Sequence, residues 1–175
     1  MTELLARRQT WSTVNCSIAA AFEVVGTRSA ILFMREAFFG TRRFEDFVRR
    51  VGIGEPATAR RLKELTEAGL LERVPYKEPG QRTRHEYGLT AKGVDFEPVI
   101  LALLQWGDAW QADDAGPPLR ATHQDCGAAV HVRVRCEAGH DVSPRDVHIE
   151  EGPGLITVAA QAGESEPYRE EAERL

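Results

Sequence analysis

Between residues 44 and 51 the apolar side chains Phe44, Phe47, Val48 and Val51 recur at i, i+3, i+4 and i+7, while Glu45, Asp46, Arg49 and Arg50 fill the other side. That spacing predicts a helix with one buried face. Gly52-Ile53-Gly54-Glu55 follows as a turn in which Ile53 can plug the angle between two helices. Pro56 suits the start of the next helix, where its missing N–H leaves nothing unsatisfied. In that second helix Thr58, Leu62, Leu65 and Thr66 share a face, Ala57, Arg60, Lys63, Glu64 and Glu67 lie opposite, and Gly69 ends it. Alternating residues 70–76 and 84–89, joined across Pro79-Gly80, predict a β-hairpin.

Upstream, residues 17–25 and 28–39 are apolar on most sides and are separated by Gly26-Thr27, which predicts two buried helices. Downstream, Thr90 is a suitable N-cap for one long helix from residue 91 to about 111, with a bend at Pro98. Along it Phe96, Leu103 and Trp110 repeat every seven residues, as do Val99 and Trp106. ADDAGPPL (112–119) reads as a linker, AVHVRVRC (129–136) as a strand and LITVAA (155–160) as a second strand; the acid-rich residues 163–175 read as a frayed end or loose helix. The fold class is therefore mainly α with a β-wing. A winged helix-turn-helix domain over 1–113 precedes a small β-rich appendage over 114–175.

Composition narrows the functional classes. With 175 residues, 42% hydrophobic and 28% charged, the chain is ordinary globular material, and no apolar run is long enough to span a bilayer. No secretory leader is evident at the start, so the expected location is cytoplasmic, without a membrane, and the three cysteines are expected to be reduced. The formal charge of −5 looks unsuited to a nucleic-acid partner. Its distribution removes the difficulty: residues 111–175 carry net −7, whereas residues 42–84 hold 11 basic against 7 acidic side chains. At a Debye length of about 8 Å the local balance governs.

A helix-turn-helix reads double-stranded DNA by placing the first residues of its second helix in the major groove. Glu55, Pro56, Ala57 and Arg60 occupy that position, Arg60 being the long donor able to reach a guanine edge. Arg43, at the start of the preceding helix, is placed for a phosphate; Arg61 and Lys63 flank the reading face; Lys77, Arg82 and Arg84 would let the wing reach a minor groove. The apolar stripe of Phe96, Val99, Leu103, Trp106 and Trp110 exceeds what one small domain needs and fits a homodimer seam, with Ile100 and Leu104 left to face the domain. A hydrophobic small-molecule effector could sit between helices at that seam.

His123, Cys126, Cys136 and His140 form H-x2-C-x9-C-x3-H, a donor set compatible with zinc, although no cofactor is required and a metal-free hairpin docked on the main domain is the alternative. No catalytic constellation is present in the sequence, so an enzyme is not expected. The competing reading is a protein-interaction winged helix with a zinc-stabilised C-terminal scaffold.

The segments EVVGTR, REAFFGTRRFEDF, RRLKELTEAGLLERVPY, HEYGLTAKG and QWGDAW, with Cys16 before them, resemble the HxlR-type (MarR-like) winged helix-turn-helix transcriptional regulators over roughly residues 14–111. The resemblance implies a homodimeric regulator, here expected to repress from a palindromic operator, with dimer contacts from the terminal helices and a recognition helix on residues 56–68. It also implies a candidate thiol sensor at Cys16. Two positions depart from the family pattern, Ser29 for a tryptophan and Thr58 for a large aliphatic, and predict looser or differently filled packing behind the recognition helix.

Overall fold

The computed structural model describes residues 10–157. Its helices are α1 (Ser17–Val25), α2 (Arg28–Phe38), α3 (Phe44–Val51), α4 (Glu55–Glu67), α5 (Ala91–Val94) and α6 (Glu97–Trp110), with strands β1 (Leu71–Tyr76) and β2 (Arg84–Leu89) between α4 and α5. The helix-turn-helix is α3–α4, and its turn follows the sequence: Gly52 ends α3 at φ 73°, a left-handed conformation that favours glycine, and half-buried Ile53 packs on the core. Thr58 is fully buried and its hydroxyl donates to the Ile53 carbonyl at 3.4 Å. The loss of a large aliphatic at this position is thus met by a hydrogen bond that ties α4 to the turn.

The core lies where α2, α3, α4 and the hairpin meet. Phe33 stacks on Phe47 with centroids 5.4 Å apart, Tyr87 meets Phe47 edge-on at 6.1 Å, and Met34, Leu62, Leu65 and Leu71 close the cluster. In the hairpin Leu71 pairs with Leu89 and Tyr76 with Arg84. On its other edge β2 gains a bond from outside the hairpin, Tyr87 N–H donating to the Arg42 carbonyl at 2.8 Å, so the loop before α3 is fastened to the wing.

Three expectations fail, each for a physical reason. The expected single helix over 91–111 is broken into α5 and α6. Pro98 is the cause, but it acts four residues upstream: its ring collides with the carbonyl at i−4 and it offers no N–H, and residue i−4 is Val94, where α5 ends. Secondly, α1 is not buried. It meets α2 at 78°, only Val25 is buried, and Ile18 is 70% exposed. Beyond Val24 and Val25, its apolar side chains stand uncovered among the described residues. Thirdly, residues 129–136 form no strand: the described part of the appendage holds isolated bridges, Thr122 with Ala129 and Arg135 with Asp141, and one short 3-10 turn, Pro144–Asp146.

The backbone bonds of that alternating segment are scattered and form no ladder: Val130 N–H donates to the Ala121 carbonyl and Val142 N–H to the Val134 carbonyl, both at 2.9 Å. Gln105 of α6 donates Nε2–H to the Val130 carbonyl at 2.9 Å and accepts from Val132 N–H at 3.0 Å, as a neighbouring strand would. Farther on, Thr157 bridges Trp11, and Ser12 N–H donates to the Ile156 carbonyl at 2.8 Å. The remainder of the second expected strand, and the expected frayed end at 163–175, lie outside the described residues. No single described helix is long and apolar enough to cross a membrane.

Candidate nucleic-acid interface

Residue Gly54 caps α4, with Pro56 in its first turn, and the start of the helix stands open: Glu55 and Pro56 are exposed and Ala57 is half-buried. Arg60 is 73% exposed with its Nε 3.8 Å from Glu64, and Lys63, equally exposed, has its ammonium 3.6 Å from Glu67. Both are solvated i,i+4 pairs of the kind that contribute a few tenths of a kcal/mol. Either cation can therefore leave its partner at little cost.

Arg61 behaves differently from the expectation that it flanks the reading face. It is 18% exposed, donates Nε–H to the Ser29 hydroxyl at 3.1 Å, and pairs with Glu64 at 2.6 Å. Ser29 stands where the family pattern has tryptophan, and the Arg61 stem and head lie beside it, joining α2 to α4. This arginine is structural, and the cause is tertiary: no helical wheel of α4 alone reveals a hydroxyl on α2.

Residue Arg43 takes the N-cap position of α3, as expected, but its head is engaged. Its Nη2–H donates to Glu78 at 2.8 Å, and its guanidinium carbon lies 4.8 Å from the centre of the Tyr76 ring. The Glu78 hydrogen bond above all, with Tyr76 beside it, raises the Arg43 pKa further above its ordinary value, and a guanidinium is a permanent cation in any case. Adjacent Arg42 pairs with Glu86 of β2 at 2.8 Å. On the wing itself Lys77, Arg82 and Arg84 are exposed and make no ion pair among the described residues. The open end of α4, Arg43 and the wing cations thus fall on the connected α3–α4–hairpin unit. The sequence pointed to the cations but missed Arg42, Tyr76, Glu78 and Glu86, because their pairing closes loops of 35 and 44 residues and leaves no local pattern.

The expected dimer stripe divides in two. Phe96 turns inward and packs on the core, together with buried Ile100, whereas Val99, Leu103, Trp106 (59% exposed) and Trp110 (72%) face outward. Val14, Ile18 and Phe22, at and before α1, are exposed as well. An apolar cavity of about 240 Å³ opens between α2 and α6, lined by Ile31, Arg35, Phe38, Ile100, Leu101 and Leu104. Cys16 is the N-cap residue of α1, half-buried, and its thiol caps nothing. In the appendage His123 Nδ1 lies 3.2 Å from Cys126 Sγ, and the Cys136 N–H donates to the His140 carbonyl across a separate turn. Among the described residues no three His, Cys, Asp or Glu side chains converge as a metal site, so the two pairs are not brought together.

Comparison with known proteins agrees with this architecture. The family model of the HxlR-like helix-turn-helix matches residues 24–115. An uncharacterised HTH-type transcriptional regulator of Mycobacterium tuberculosis is 42% identical over 140 residues, covering 79% of this chain and 87% of the relative. One from Synechocystis is 31% identical over 96 residues, covering 54% of this chain and 70% of the relative. Among solved structures, PA1607, a candidate transcription factor, superposes with a TM-score of 0.71 at 29% identity over 79% of this chain and 96% of its own. PA1374 of Pseudomonas aeruginosa gives 0.56 at 34% identity over 84% and 99%. A winged helix-turn-helix of this topology, matched by the family model over more than half its length, belongs to the HxlR-like helix-turn-helix family of transcriptional regulators.

Proposed function

We propose that this regulator acts as a homodimeric repressor that lays the first two turns of α4 from each protomer into successive major grooves of a roughly palindromic operator. The observation that carries this reading is the open outer face of α4: Arg60 and Lys63 are both 73% exposed, and nothing in the described chain covers them. Arg60 is the base-reading side chain, and Arg43, Lys77, Arg82 and Arg84 hold phosphates on either side. The outward stripe of Val99, Leu103, Trp106 and Trp110, with α1 beside the same domain, supports a second copy as its cover. Two copies double the phosphate contacts, which a module of modest positive charge needs.

The test is fluorescence anisotropy of the full chain on the DNA upstream of its own gene, repeated across salt concentrations. Retention should fall with a log–log slope of about −0.9 for each phosphate neutralised. Absence of salt-dependent retention would favour the protein-interaction reading. The cavity between α2 and α6 is where a hydrophobic effector would sit, since occupying it would push apart the helix that carries the dimer stripe and the helix that backs α4.

A further inference from the structure

Within residues 73–84 there are four cationic side chains, Arg73, Lys77, Arg82 and Arg84, and one acid, Glu78. That acid forms its ion pair with none of the four but with Arg43, 35 residues earlier in the chain. The carboxylate and a DNA phosphate are both oxyanions, and both accept guanidinium N–H at about 2.8 Å. We propose that Glu78 is a phosphate stand-in: it marks the place where a backbone phosphate docks on Arg43, and DNA binding exchanges carboxylate for phosphate at that guanidinium.

Three features make the exchange feasible. The pair is half open to solvent, 48% exposed at Arg43 and 41% at Glu78, so an incoming phosphate can reach it and the pair itself is worth little in water. The Tyr76 ring under the guanidinium does not depend on Glu78, so the cation keeps its orientation while its anion changes. The wing is anchored separately, by Arg42 to Glu86 at 2.8 Å and by Tyr87 N–H to the Arg42 carbonyl, and does not come loose when Glu78 lets go. In the free protein the acid screens a permanent cation on the DNA-facing surface. This subtracts from binding to every sequence alike, because a phosphate contact carries no base information. The inference rests on the DNA-binding reading above.

The experiment is a double-mutant cycle on the full chain with a labelled random-sequence duplex: wild type, Glu78→Gln, Arg43→Gln and the double variant, with Glu72→Gln at the base of the hairpin as the control for removing any one acid. Glu78→Gln should tighten binding about 3-fold per protomer, about tenfold for a dimer, while leaving the salt slope nearly unchanged, since Arg43 ends on a phosphate in both proteins. Arg43→Gln should make the slope shallower by about 0.9 per protomer, and adding Glu78→Gln to it should gain no more than Glu72→Gln gains alone. An equal gain with and without Arg43, or weaker binding by Glu78→Gln, overturns the exchange. Absence of salt-dependent binding by every variant would remove the DNA-binding reading itself, an outcome distinct from either.

Discussion

Residues 28–110 enclose a core in which Phe33, Phe47, Met34, Leu62 and Leu65 are shielded from solvent, whereas between residues 112 and 157 no described side chain is buried. Both regions carry apolar residues at regular spacing. A helix satisfies its backbone internally, so α3 and α4 needed only somewhere to set their apolar faces. A strand satisfies its backbone through a neighbour, and residues 130–134 find scattered partners instead of a ladder: the Ala121 carbonyl, the Val142 N–H and the Gln105 side chain. Periodicity therefore settles structure where the hydrogen bonds are local and leaves it open where they are not.

Substitutions can break or sharpen that contrast. Phe47→Ala removes the ring at the centre of the stacked cluster and should cost about 3–5 kcal/mol in urea unfolding. Loss of the transition altogether would agree, and a shift under about 1 kcal/mol would mean the core is not where the fold's stability resides. Trp106→Ala, on the stripe the fold leaves outside, should leave monomer folding intact but raise the dissociation constant of the proposed dimer by about 30-fold or more in sedimentation equilibrium. Gly93→Ala tests the join between α5 and the start of the hairpin: a Cβ there would stand 2.1 Å from the Leu70 carbonyl oxygen, so α5 must shift, and we expect a loss of about 1–3 kcal/mol. The smallest effect is expected for Gln105→Ala. Amide exchange at Val132 should accelerate while the global unfolding free energy changes by no more than about 1 kcal/mol. A large global loss would show that the appendage is part of the cooperative unit.

The helix-turn-helix and the hairpin were legible from residues 44–89 because each signal there is short-range: an apolar face, a glycine with left-handed φ, a Pro-Gly turn. The break before α6 was legible in cause but not in position, since a proline disturbs the carbonyl one turn before itself. Exposure of α1 was hidden, because an apolar helix in sequence does not say whether its cover comes from its own chain. Among the candidate site residues the sequence found Arg60, Lys63, Lys77, Arg82 and Arg84 as outward cations, which follows from helical phase for the first two and from their place at the turn of the hairpin for the others. It misassigned Arg61 and Phe96, which the fold turns inward, and missed Glu78, whose partner is fixed only when the wing folds back on α3.

The outward reach of α4 is tested most directly by Arg60→Ala, measured by anisotropy on a duplex selected by the wild-type protein from a random pool and on an unselected duplex of equal length. We expect affinity for the selected site to fall by about tenfold to a hundredfold, with discrimination relaxed at one base pair per half-site, and affinity for the unselected duplex to change by less than about 3-fold. Equal losses on both duplexes would contradict a base-reading role for the open face of this helix.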